Sequence, residues 1–107
     1  MSNGFTPGPW KVGQSEHHTA CVDAVDPADG KLFELCEVFG ENHYRTITET
    51  SRANATLIAA APDLLDALER LKCEVILSDV DPDYIKHHFK PWLEKAAAAI
   101  AKARGTL

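Results

Sequence analysis

Asp79, Asp81 and Asp83 stand at the first, third and fifth places of a calcium loop, the spacing at which carboxylate oxygens converge on one ion. The rest of that loop is missing. Tyr84 fills the sixth place, where glycine makes the turn, and Lys90 the twelfth, where a bidentate glutamate closes the cage. The segment therefore reads as a solvated connector in which Asp81 caps a helix opened by Pro82. His17, His18, Cys21, Cys36 and His43 are ligand types for zinc and could meet across a hairpin. None of their pairs has the tight spacing of a finger or knuckle, so the favoured reading is scattered surface histidines and strand cysteines, with no metal and no cofactor.

Two other groups could meet a ligand. Lys86, His87 and Lys90 gather cationic side chains on one helix, which suits an anion contact, although a solvated face explains them as well. Asn54 is a polar residue inside an alanine and leucine stretch. An unpaired buried amide is costly, so it should hydrogen-bond to a strand edge or a neighbouring chain. A ligand role shared with Arg52 is the sharper alternative. For catalysis the chain offers little: Ser51 and Ser78 lie near helix ends with no glycine elbow or oriented base, and there is no P-loop or GxGxxG. No enzyme is expected.

These residues have to be held by some scaffold, and its organising stretch is Arg52 to Leu71. A small-residue helix runs into Pro62, which lacks the N–H and the space to sit inside a helix but fits the first position of the next. Two helices meeting at Pro62 are predicted, 49–61 and 62–78. The first opens with Thr46-Ile-Thr-Glu49, a capping-box pattern. In the second, Leu64, Leu68, Leu71 and Val75 recur at spacings of four, three and four, an apolar seam.

A third helix over 82–104 carries its seam through Ile85, Phe89, Trp92, Ala96, Ala99 and Ala103, a register that crosses Pro91 unbroken. Pro91 predicts a kink near His87 to Lys90, or two helices sharing one face. The grading of that seam from aromatic to alanine implies close approach at its C-terminal end, to the second helix or to another copy of the chain.

Upstream, Thr6-Pro-Gly-Pro-Trp10 cannot be helix and leads extended into a short strand at Lys11 to Gly13, with Trp10 dropping onto the core. Ala20 to Val25 and Leu32 to Phe39 read as strands joined by the turn Asp26-Pro-Ala-Asp-Gly30. Phe33, Leu35 and Phe39 are placed toward the helices, with Glu37 breaking the alternation. The fold expected is α+β: a small antiparallel sheet from the N-terminal half packed on three helices from the C-terminal half, a single domain over 1–107 with strands and loops in 1–45 and helices in 46–107.

Composition sets further limits. A chain of 107 residues that is 45% hydrophobic and 25% charged is a one-domain globular chain. No apolar run reaches the ~20 residues of a membrane span, and Met1 to Pro7 has neither region of a signal peptide. Three cysteines without CxxC spacing suit reduced thiols. A cytoplasmic product is the expectation. The net charge is −5, and the acidic excess lies in residues 1–50, with three Lys/Arg against eight Asp/Glu; residues 51–107 hold eight of each. That balance disfavours nucleic acid as partner.

Thr6-Pro-Gly-Pro-Trp10 followed by Ala53-Asn-Ala-Thr-Leu-Ile-Ala-Ala-Ala-Pro-Asp-Leu-Leu-Asp-Ala-Leu68 resembles a group of small bacteriophage and prophage proteins. Their pattern is a TPGPW start, a variable strand region and an ANAxLIAAAPxLLxAL core. The resemblance implies a phage or prophage accessory product in the cytoplasm of a host bacterial cell, and its motif residues read as structural, with no catalytic set to carry over. Two functions are then expected to compete. One is a non-catalytic protein that binds a host or phage protein through its helical face, as a homo-oligomer. The other is a small-ligand binder that sequesters a nucleotide messenger of host defence, using Arg52, Asn54, Lys86, His87 and Lys90. A nucleic-acid contact by the last helix is the weaker third.

Overall fold

The computed structural model describes residues 4–14, 19–40 and 47–105. The chain forms two compact units, Met1–Asp63 and Leu64–Leu107, and the fold is α+β.

The first unit is built on a three-stranded antiparallel meander, β1 (Lys11–Gln14), β2 (Ala20–Val25) and β3 (Leu32–Val38), with β2 in the middle. The β2–β3 turn closes as its residue types dictate. Asp26 and Asp29 accept from the backbone N–H groups of Ala28 and Lys31 at 2.8 and 2.9 Å, and Gly30 takes a left-handed φ of 73°. One helix, α1 (Glu49–Ala59), packs across all three strands. Ala20, Val22, Val38 and Ala55 form the buried cluster between them, with Trp10, Leu35, Cys36, Ile47 and Ala59 packed on it. Ala55 is fully buried, and its small side chain lets the helix backbone come close to the sheet.

The inward face of β3 differs from the alternation predicted for it. Val22 pairs with Cys36 but Asp23 pairs with Glu34, so Leu35 is an extra residue, a β-bulge. The bulge switches parity partway along the strand. Phe33 shares the side of Ala24, and Cys36 and Val38 share the side of Val22 and Ala20, so Val38 rather than Phe39 is the buried residue. Glu34 and Glu37, three apart, fall on the same outer side for the same reason.

Helix α1 is capped two residues later than the Thr46 pattern implied. Thr48 Oγ1 accepts from the Ser51 N–H at 3.0 Å, and Ser51 Oγ accepts from the Thr48 N–H at 2.8 Å, so the serine hydroxyl does what a glutamate carboxylate does in the usual box. Thr46 itself lies outside the described residues. At its other end α1 stops at Ala59, with Ala60 as cap, and α2 (Ala61–Ile76) follows at once. Pro62 is the second residue of α2 and is buried. The start segment crosses above it: a Cβ on Gly8 would sit 3.2 Å from Pro62 Cβ, a tight contact that glycine avoids. Trp10 is fixed within the same turn by donating its indole N–H to the Thr6 carbonyl at 3.1 Å.

The second unit takes α2 from Leu64 onward. It continues with a single turn, α3 (Pro82–Tyr84), capped by Asp81, whose carboxylate accepts from the Asp83 N–H at 2.9 Å. A π-helical turn over Ile85–Phe89 then leads into α4 (Lys90–Arg104), which ends at Gly105 with a left-handed φ of 73°. The π turn is how the chain accommodates Pro91. The Lys90 N–H reaches back five residues to the Ile85 carbonyl, which widens the turn where the proline ring would otherwise meet the carbonyl of His87.

Candidate functional site

In the second unit α2 and α4 are joined by an ion pair between Arg104 and Glu69. Between them lies an open apolar groove of about 560 Å³, lined by Leu68, Leu71 and Val75 from one side and Phe89, Trp92, Leu93, Ala96 and Ala99 from the other, with Lys72 and Lys95 at its margins. The two predicted seams meet here, with one correction. The seam of the third helix does not cross the proline unbroken. A π turn takes more residues per turn than an α-helix, so Ile85 is carried off the face of Phe89 and Trp92. It lines a second, shallower groove of about 410 Å³ with Pro82, Lys86, Lys90, Leu93, Glu94 and Ala97.

The first groove is unusually open for so apolar a surface. Trp92 is 66% and Leu71 62% exposed. Trp92 is touched on its ring face by the Lys95 ammonium, 5.7 Å from the centroid. Among the described residues from Leu64 to Gly105, not one side chain is buried. Apolar seams on amphipathic helices normally supply the burial that holds such helices in shape.

The residues singled out for ligand binding fall in different places. Asn54 donates its side-chain N–H to the Phe39 carbonyl at 3.0 Å, tying α1 to the end of β3, which is the strand-edge bond expected of it. Arg52 is exposed on α1 beside a shallow pocket of about 310 Å³ shared with Val12, Gly13, Gln14, Ala20, Ile47 and Thr56. Lys86 and Lys90 are brought to one groove, where the Lys90 ammonium is 4.0 Å from Glu94. His87 is exposed on the π turn. Its neighbour His88 stacks on Tyr84 with ring centroids 4.1 Å apart, a contact that sequence gave no reason to expect.

His17, His18 and His43 lie outside the described residues. Among those that are described, no three His, Cys, Asp or Glu side chains converge as metal ligands. Cys21 and Cys36 are on opposite faces of the sheet, since Cys36 pairs with Val22 while Cys21 pairs with Glu37. All three cysteines are free. Cys21 is fully buried and donates its thiol to Asp23 Oδ1 at 3.3 Å; burial first, then the Asp23 bond and charge, push its pKa up to about 11. It is a neutral, unreactive thiol at physiological pH.

The architecture defines a small α+β protein in which Gly8 rests against Pro62, and Trp10 and Ala59 pack on one core. The chain belongs to the family of Salmonella phage P22 protein Y8K6, which it matches along residues 1–107. Comparison with curated proteins and with solved structures finds no match. Among the described residues no helix is long and apolar enough to cross a membrane.

Proposed function

We propose that this chain is a phage accessory protein that performs no catalysis and works by binding protein through its helical unit, as a homo-oligomer. The observation that carries this reading is the second unit's lack of any buried side chain among its described residues, although Leu68, Leu71, Val75, Phe89, Trp92 and Leu93 line a common groove. A segment of roughly 40 residues seldom folds on its own core and commonly borrows one by association. Apolar area withdrawn from water contributes about 25 cal/mol per Å², so covering such a groove is strongly favoured. Light scattering over a wide concentration range is expected to return a mass above that of one chain. A strict monomer at the highest concentration would sink the proposal.

A second reading, capture of an anionic small ligand such as a nucleotide messenger, has one observation in its favour. Lys86 and Lys90 line the shallower groove over an apolar floor of Ile85 and Leu93, with the Tyr84–His88 stack on the same segment. Asn54 donates to the Phe39 carbonyl and does not line this groove. A thermal-shift panel of cyclic and linear nucleotides checks this reading: a ligand raises the midpoint in proportion to the logarithm of its concentration, and Lys86→Glu abolishes the response. A flat panel would leave the protein-binding reading alone.

A further inference from the structure

We infer that the groove between α2 and α4 is closed by the same groove of a second copy, two hairpins making a four-helix bundle with Trp92 of each chain on the seam. The inference rests on the homo-oligomeric reading above and names the surface that performs it. Two observations pick out a second copy as the occupant.

The first is charge. Residues 1–63 hold four Lys/Arg against nine Asp/Glu, whereas residues 64–107 hold seven of each. Contact between identical surfaces sets like charge against like, so the acidic unit resists self-association and the neutral one does not.

The second is shape. Along α4 the groove narrows from Phe89 and Trp92 to Ala96 and Ala99 in side-chain size. Two such grooves laid antiparallel put the aromatic end of each over the alanine end of the other, large against small, as helix bundles pack. Lys95 contacts Trp92 and leaves two-thirds of the indole exposed for this contact.

The test compares variants of the full chain by analytical ultracentrifugation. Leu71→Glu puts a carboxylate in the groove, and Ile76→Glu puts the same group at an exposed apolar position that does not line it. Leu71→Glu is expected to raise the dimer Kd by about 30-fold or more, as loss of a central anchor does, and Ile76→Glu by no more than about threefold. Ala96→Leu fills the narrow end without adding charge and is expected to weaken the dimer in the same way, which covers the case in which Leu71→Glu loses its helical circular dichroism. A wild-type dimer indifferent to both groove variants overturns this inference while leaving the oligomeric reading intact. A wild-type monomer overturns both.

Discussion

Gly40→Ala is expected to destabilise the first unit by about 2 kcal/mol, seen as a lower urea midpoint with an unchanged slope. A Cβ at this position would lie 2.5 Å from Thr48 Oγ1 and 3.1 Å from the Ser51 backbone nitrogen. Neither can yield cheaply. Thr48 Oγ1 is held by the Ser51 N–H it accepts from, and swinging it away gives up a helix cap, a loss of about 1 kcal/mol. Moving the backbone instead displaces Ser51, which is fully buried. Overpacking of this kind costs about 1–3 kcal/mol, against roughly 0.4–1 kcal/mol that alanine returns by stiffening the unfolded chain. Because the clash is chiefly with one oxygen, the effect should shrink in a Thr48→Ala background. Equal penalties in the two backgrounds would show that the threonine is not what glycine makes room for.

This close approach also marks where reading the sequence stops. The three strands were legible because apolar residues alternate between turn residues, and the break at Pro62 because proline lacks a donor. Gly40 under Thr48 and Gly8 over Pro62 were not, since each depends on a partner brought from elsewhere in the chain. The same holds for the bulge at Leu35. Its only trace was Glu37 out of phase, and which residue is extra is decided by pairing with β2. In the cap, Ser51 replaced glutamate because a hydroxyl can both accept and donate, here donating to the Thr48 carbonyl at 3.0 Å.

The candidate site was half legible. Leu68, Leu71 and Val75 and Phe89, Trp92 and Ala96 were marked as seams by their spacing. Periodicity says which side of a helix is apolar and nothing about what lies against it. The open groove is therefore a finding of the structure. Pro91 announced a disturbance, but the π turn that absorbs it moved Ile85 to the other groove, because a bulge shifts every residue before it around the axis.

Cys21 yields the other large prediction, a loss of stability in alkali that this one thiol causes. Gly13 stands opposite Cys21 on β1, and with no side chain of its own it lets the Asp23 carboxylate lie against the strand; a Cβ there would be 2.4 Å from Asp23 Oδ2. The thiol is thus enclosed beside a carboxylate, with Glu34 adding further negative charge. A thiolate in that position would lose its water, lose its bond to Asp23 and face repulsion, which is why the pKa rises from 9.0 to about 11. A group whose folded pKa lies above its unfolded one contributes stability that is complete below the unfolded value and is lost as pH rises through the folded one. The loss therefore begins near pH 9 and is complete only above about pH 11; two units correspond to roughly 3 kcal/mol. Tyrosines and lysines titrate in the same range, so the quantity to measure is a difference. Cys21→Ala, whatever its cost at neutral pH, should lose roughly 2 kcal/mol less than the wild type between pH 8.5 and 11 in urea denaturation. Parallel pH curves for the two proteins would mean that the thiol ionises freely in the folded state, and the enclosure described for it would be wrong.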